Sequence, residues 1–388
     1  IDGIELEALV AKRTTGLMQP QLAKRIEVAT RKHFPDGIPA YGTDALRFTF
    51  ASLATQGRDI RFDLQRVEGY RNFCNKLWNA ARYVLMNTEG QDCGADGVEV
   101  ELGAAERWII SRLQRVEAEV ETSVRGYRFD QVAHTLYAFV WDEFCSWYVE
   151  MSKTTLNDPD CSDHARRGTR RTLVRVLETA LRLLHPIMPY ITETIWQRVA
   201  PLAGRSGETI MLQAWPVSDP SRIDADAEAE IRWIQDVVTG LRNIRGEMNI
   251  EPSRALPVLV QDASDLDRER LSRSRVLLHA LARIQSIRIL ESDEQAPESA
   301  TALVGDMRVM VPLGSLIDRD AELQRLGREM DRIRKDLERA TGKLGNPEFV
   351  ARAPEAVVEK ERRRAAELEG ALSKLDDQRA RVEALAGG

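Results

Sequence analysis

The sequence predicts a mainly α-helical protein: a helical bundle, a small β-α-β-β unit and a C-terminal antiparallel coiled-coil hairpin. Three observations predict it. Between residues 64 and 245, apolar residues recur at three- and four-residue steps in long stretches separated by short polar loops. Over residues 246–315 the periodicity shortens to apolar runs of strand length. From residue 316 onward the apolar residues follow a heptad. A composition with 30% charged and only 6% aromatic residues fits a helix-rich, salt-bridged chain.

Residues 1–63 mix short helical segments with turns. In FPDGIPAYG, Pro35, Gly37 and Pro39 forbid a continuous helix, so this segment is expected to be the tail of a larger domain. Thr43 and Asp44 are candidate caps for a helix starting near Ala45, with Arg47 paired to Asp44 on the same face. Lys12, Arg13, Lys24, Arg25, Arg31 and Lys32 form a basic stretch suited to phosphates or to water.

In GYRNFCNKLWNAARYVLM, residues 69–86, the apolar positions Phe73, Leu77, Ala80 and Val84 define a buried stripe. Between them stand Arg71, Asn75, Asn79 and Arg82, with Tyr83 as an aromatic. Amides, guanidinium groups and an aromatic are the chemistry that stacks on an unpaired base and hydrogen-bonds its edges, although a solvated face has the same composition. Trp108, Trp141 and Trp147 fall on later apolar stripes and are expected in the core. In HARRGTRRTLVRVLETALRLLHPIMP, the residues Arg167, Arg171, Arg175, Glu178 and Arg182 form one ridge. The three leading guanidinium groups can follow a phosphate backbone or simply solvate a helix whose other face is Leu173, Leu177, Leu181 and Leu184.

The runs ALPVLV and SIRIL flank a helical segment, and TALVGDMRVMVPL reads as two strands around Gly305 and Asp306. Beyond them, Leu316, Leu323, Leu326, Met330, Ile333, Leu337, Ala340 and Leu344 keep a heptad with Arg319 as its exception. After GNPEFVARAP, Val358, Ala365, Leu368, Leu372, Leu375, Val382 and Ala386 resume it, with Glu361 and Arg379 as exceptions. Two helices of similar length joined by a short loop fold back on each other. Residues 319–383 hold 16 Lys and Arg against 15 Asp and Glu, so this arm is the less acidic part of a chain with net charge -6. That balance excludes a uniformly basic nucleic-acid glove and leaves only local basic clusters.

The cysteines Cys74, Cys93, Cys145 and Cys161 show no Cys-x-x-Cys pair and the five histidines are scattered, so no metal site or disulfide framework is expected. No apolar run of about 18 residues would span a bilayer. With no leader pattern, the chain is expected to be cytoplasmic. Ile1 in place of a start methionine leads to the expectation of an excised piece or a processed product of a longer protein.

YGTDALRFTFASLATQGRDIRFD at 41–63, the 69–86 helix and LHPIMPYITETIWQ at 184–197 together resemble the valyl-tRNA synthetase family of class I aminoacyl-tRNA synthetases. The resemblance extends to the end of the chain. It implies four parts: a stem-contact tail at 1–63, a helical anticodon-binding domain at 64–245, a small α/β connector at 246–315 and a coiled-coil tRNA-binding arm at 316–388. It also implies an intact enzyme that ligates valine to its tRNA with ATP and magnesium. The family's His-x-Gly-His and Lys-Met-Ser-Lys-Ser signatures are absent from these 388 residues. Met151-Ser152-Lys153-Thr154 lies after a helix and is no substitute, so the chain alone is expected to be inactive, without cofactor.

The expected partner is valine-specific tRNA, with no membrane and a monomeric state. The resemblance assigns Tyr83, with Asn79, Arg82 and Asn75, to the anticodon. By their spacing Arg167, Arg171 and Arg175 on the bundle, and by their clustering Lys343, Arg352, Arg362, Arg363 and Arg364 around the hairpin turn and the start of its second helix, are the candidates for the tRNA backbone. The alternatives are the isoleucine or leucine relatives, or a structural coiled-coil adaptor. An isoleucine enzyme would end in a cysteine-bearing zinc module, and an adaptor leaves residues 41–63 unexplained.

Overall fold

The computed structural model describes residues 2–55, 62–94, 98–291, 294–316, 319–345 and 355–384. Its contacts divide into two units, Ile1–Ile234 and Gln235–Gly388. In the first unit a two-stranded antiparallel ribbon, β1 (Asp2–Ile4) with β2 (Ile38–Ala40), brackets α1 (Leu6–Thr14) and α2 (Ala23–His33). The turn before β2 requires Gly37, whose φ is +77° and where a Cβ would sit 2.2 Å from the Ile4 carbonyl oxygen. Arg31 is clamped in a bidentate pair to Glu7 at 2.5 and 2.9 Å, so this member of the basic stretch is already neutralised.

The bundle follows: α3 (Thr43–Leu53), α4 (Leu64–Thr88), α5 (Ala104–Arg125), α6 (Phe129–Ala138), α7 (Val149–Leu156), α8 (Asp163–Leu184) and α9 (Pro189–Val199), with the boundary between the two units falling inside α10 (Ala225–Glu247). Asp63 caps α4 by accepting from the Gln65 amide at 2.9 Å. Phe73, Leu77, Ala80 and Val84 are all buried, as their spacing predicts. Between α6 and α7 the segment Phe139–Tyr148 is a π-helix, and the Val149 amide bonds the Phe144 carbonyl five residues back. Trp108 is buried, whereas Trp141 is only half-buried: it stacks on Tyr137 at 5.5 Å and carries the Lys76 ammonium 3.9 Å from its ring centroid. Trp147 is likewise only half-buried.

Asp44 does not cap its own helix. α3 begins at Thr43, and the Asp44 carboxylate accepts from the Tyr190 and Ile191 amides at 3.3 and 2.7 Å, capping α9 instead. Arg47 does not pair with Asp44 either; it donates to the Ile187 and Pro186 carbonyls at 2.9 Å each. Together the two side chains close the α8–α9 corner from both polarities.

α8 lies deep in the bundle. At Gly168 the backbone of Glu101 comes so close that a Cβ would be 2.0 Å from its carbonyl oxygen. The expected surface ridge is therefore overturned at Glu178 and Arg182, which are 1% and 7% exposed. They form a bidentate pair at 2.9 and 3.0 Å. The Trp196 indole donates to Glu178 at 2.9 Å, Arg205 approaches it at 3.1 Å, and Arg182 also donates to the Ala214 carbonyl at 2.7 Å. Glu106 is buried too, accepting from Tyr148 and Thr169, and its burial pushes its carboxyl above the usual range.

The second unit has a four-stranded sheet of order β4-β3-β6-β5. β3 (Leu256–Gln261) pairs in parallel with β4 (Ile284–Ile289) across α11 (Asp265–Arg273) and α12 (Arg275–Ala282). β5 (Ser299–Val304) and β6 (Met307–Pro312) form a hairpin turning at Gly305 and Asp306, and β6 pairs antiparallel with β3. α13 (Leu313–Leu316) leads to α14 (Arg319–Leu344), which packs along α15 (Glu355–Ala384) as a helical hairpin. Leu326, Met330, Ala340, Val358 and Ala365 are buried in its seam. Seam positions Leu316, Leu323, Val382 and Ala386 lie outside the described side chains. Among the described residues no helix is long and apolar enough to cross a membrane.

Glu178→Ala leaves the Arg182 guanidinium and the Trp196 N–H buried with no carboxylate, a change that costs about 3–5 kcal/mol; the loss is read from the denaturant midpoint, and a loss under about 1 kcal/mol contradicts the assigned network.

Glu117 on α5 makes a different prediction. It is 5% exposed, its Oε2 has no hydrogen-bond partner, and burial pushes its pKa up to about 7, with Arg222 and Arg182 opposing the rise and Asp219 adding to it. The folded state thus keeps this proton where the unfolded chain, near the ordinary 4.5, has lost it. Its favourable contribution is complete below pH 4.5 and is lost as pH rises to about 7. Glu117→Gln should therefore raise the melting temperature more at pH 8 than at pH 5, and an equal shift at both refutes the assignment.

Candidate nucleic-acid interface

The outer face of α4 is where the sequence places its base-binding chemistry, and the helix exposes it. Arg71, Asn75, Asn79 and Arg82 are all exposed. At about 100° per residue, these four form one polar stripe, and its two flanks are aromatic. On one side is Trp78, 43% exposed. On the other is Tyr83, half-buried against α7.

Sequence reasoning missed Trp78. Its signal was present: it stands three residues after Asn75 and seven after Arg71, off the Phe73-Leu77-Ala80-Val84 stripe, where an indole has no core to enter. Trp78 borders a cleft of about 460 Å³ that also includes Tyr41, Arg71, Asn75 and Tyr190, the last 65% exposed. Three aromatics with a guanidinium and an amide supply both stacking surface and edge hydrogen bonds. Cys74 shares this cleft, but burial pushes its thiol up to about 12, so it is no nucleophile there.

Tyr83 is less free than its spacing suggests. Its hydroxyl lies 3.0 Å from Ser152 Oγ, whose own proton is given to the Val149 carbonyl at 2.8 Å, so Tyr83 is the donor. The Lys153 ammonium stands 5.7 Å from the ring centroid. Ser152 and Lys153 lie inside α7, not at a helix end followed by a loop as the sequence led us to expect, and they complete the site as a hydroxyl anchor and a cation beside the tyrosine.

The backbone-binding arginines of α8 are corrected in part. Arg167 is bound to the segment that follows α4: its Nε meets Asp92 at 2.5 Å and its Nη1 the Glu99 carbonyl at 3.2 Å. It secures that segment across α8 and presents no open fork to a phosphate. The Gly94 amide and then Arg167 hold the Asp92 carboxyl below its ordinary value. Arg171 and Arg175 are half-buried and line cavities on either side of residues 203–204, so the three do not form one exposed ridge.

On the hairpin, Lys343 crosses to Glu361 at 3.0 Å, which explains the charged seam position. Arg362 and Arg363 each lie 3.9 Å from Glu359, and Arg364 is exposed. Arg352 lies outside the described residues. Exposed pairs of this kind are worth about 0–1 kcal/mol, little enough for a phosphate to displace the carboxylate.

Residues 106–260 match the anticodon-binding domain of tRNA ligases. Residues 318–383 match the tRNA-binding arm of valyl-tRNA synthetases. The chain thus carries a match to the anticodon-binding domain of tRNA ligases followed by a match to a synthetase tRNA-binding arm. The α4 stripe lies just before the first matched segment, and the hairpin coincides with the second. Among solved structures, LeuRS of Agrobacterium radiobacter K84, described as a ternary complex with tRNA and LeuAMS, is 13% identical, with a TM-score of 0.36. That match covers 68% of this chain and 28% of the LeuRS chain, so this chain spans under a third of that protein's length.

Base stacking on an aromatic is worth about 1–3 kcal/mol. Trp78→Ala should weaken tRNA binding about tenfold while leaving the melting temperature nearly unchanged; Tyr83→Phe should do the reverse, costing about 1 kcal/mol of stability through the missing Ser152 bond while binding normally. Filter binding and thermal melts on the two variants separate these effects, and normal binding by Trp78→Ala removes the indole from the interface.

Proposed function

We propose that this chain is the tRNA-holding portion of a valine–tRNA ligase, with the α4 face reading the anticodon and the α14–α15 hairpin bracing the tRNA backbone. The single observation that carries this reading is the coincidence of the helical hairpin with the tRNA-binding arm of valyl-tRNA synthetases. The α4 stripe of Arg71, Asn75, Asn79 and Arg82, flanked by Trp78 and Tyr83, supports it chemically. Valine is the proposed amino acid because the arm is the valyl one.

The division of labour follows from physics. Phosphate contacts position a nucleic acid without reading it, and base contacts specify it. Arg362, Arg363 and Arg364 are exposed on α15 and fan out about 100° apart around it, so they offer separate cations to a backbone and no shared pocket for a base edge. The α4 stripe has amides and aromatic faces, which can discriminate unpaired bases. Valine activation and transfer would take place in the remainder of the enzyme, since neither nucleotide-binding signature occurs in these residues.

Replacing Lys343, Arg352, Arg362, Arg363 and Arg364 with alanine should lower the slope of log affinity against log salt by about 0.9 for each phosphate that is no longer neutralised, with little change in preference among anticodons. Salt titrations of tRNA binding measure this directly. Equal slopes would exclude the arm from the tRNA, and a concentration-dependent mass that disappears with the arm would identify a dimerisation coil instead.

A further inference from the structure

In the second unit, the last turn of α10 and the C-terminus of α12 bring together two arginines, Arg245 and Arg283, that the α4 face and the hairpin do not use. Arg245 Nη2 donates to the Ala282 and Arg283 carbonyls at 3.0 and 3.2 Å, and its Nη1 donates to the Glu251 carbonyl at 3.3 Å. All three acceptors are uncharged, so they hold the guanidinium in place without neutralising it, and its Nε–H and one Nη1–H remain for a ligand oxygen. Arg283, the residue just past α12, is exposed, and its side chain has no hydrogen bond or ion pair among the described residues. Its φ is +49°, in the left-handed region where a Cβ is strained and where helices commonly end on glycine. An arginine thus occupies a position that favours glycine, while its side chain supplies no bond to the fold.

We infer that Arg245 and Arg283 form a phosphate site, occupied by a phosphodiester of the tRNA backbone. Burial, and then the nearby Arg283 charge, hold Arg245 below the ordinary arginine value. Two like charges are therefore kept side by side, with no carboxylate paired to either among the described residues. An anion between them relieves the repulsion that each imposes on the other, and guanidinium groups meet phosphate oxygens with paired N–H donors. Two guanidinium groups at an exposed edge hold a phosphodiester that other contacts of the same polymer keep in place, whereas a free anion would have to be retained by them alone.

This inference rests on the reading of the chain as tRNA-holding and extends it to a new stretch. Arg283 lies between the two matched segments, 106–260 and 318–383, and in neither of them.

The test is a salt titration of tRNA binding by the 388-residue chain and by its Arg283→Ala, Arg283→Lys and Arg283→Gly variants, with a thermal melt of each. Arg283→Ala and Arg283→Gly should each lower the slope of log affinity against log salt by about 0.9, the loss of one neutralised phosphate. Arg283→Lys should keep the parent slope. Arg283→Gly should also raise the melting temperature, because glycine fits the left-handed backbone and one of two like charges is gone. Millimolar inorganic phosphate should shift the melting temperatures of the parent and of Arg283→Ala equally. A slope unchanged in Arg283→Ala and Arg283→Gly overturns the site. A phosphate shift confined to the parent makes a free anion the ligand and overturns the tRNA assignment, and a lower melting temperature for Arg283→Gly gives the side chain to the fold and overturns the inference likewise. A parent that binds no tRNA overturns this inference together with the proposed function, whereas a parent that binds tRNA with the same slope as its variants overturns this inference alone.

Discussion

The buried carboxylate of Glu178 is the constraint on which the bundle depends. Four elements meet there: α8 supplies Glu178 and Arg182, α9 supplies Trp196, the turn after α9 supplies Arg205, and the backbone at Ala214 receives the remaining guanidinium proton. A buried ion pair is weak evidence for net stability, because desolvation offsets much of the attraction. Its contribution is to geometry. Only one packing of α9 and residues 200–214 on α8 satisfies all these donors, so the network fixes register where apolar contacts alone would allow sliding. Asp44 and Arg47 act on the same corner from outside, tying α3 to the start of α9 and to the carbonyls before it.

The periodic parts of this architecture were legible in the sequence. Phe73, Leu77, Ala80 and Val84 are buried where three- and four-residue steps put them, and Leu326, Met330, Ala340, Val358 and Ala365 lie in the expected seam. Glu361 broke that heptad for a reason the sequence could not supply, a lysine on the opposite helix. Partners distant in the chain were equally hidden. Asp44 was assigned to its own helix because a short side chain before an apolar run is a local signal, while the amides it caps are 146 and 147 residues away. Glu178 and Arg182 read as surface because charge is the usual mark of exposure, and nothing local announces that a guanidinium will be enclosed with its carboxylate.

The same contrast governs the candidate interfaces. Counting arginines along α8 overstated what is available, since Arg167 is committed to Asp92 and the Glu99 carbonyl. Searching α4 for a tyrosine understated it, because the more exposed aromatic is the tryptophan on the opposite flank. Basic residues in this acidic chain tend to have carboxylates of their own. What distinguishes a binding arginine from a structural one here is the solvent exposure of the pair, which decides whether a ligand oxygen can take over.

The π-helical segment between α6 and α7 has a consequence for how this protein can vary. Bonds that reach back five residues widen the turn, so each residue in Phe139–Tyr148 advances less around the axis than it would in an α-helix. The angular position of Ser152 beside Tyr83 therefore depends on how many residues lie in that widened stretch, and on little that α7 itself contains. Removing one residue there would let the ladder relax to four-residue bonds and turn Ser152 and Lys153 away from the tyrosine without altering any side chain in the site. Chain length over those ten positions is thus as much a determinant of the α4 face as residue identity.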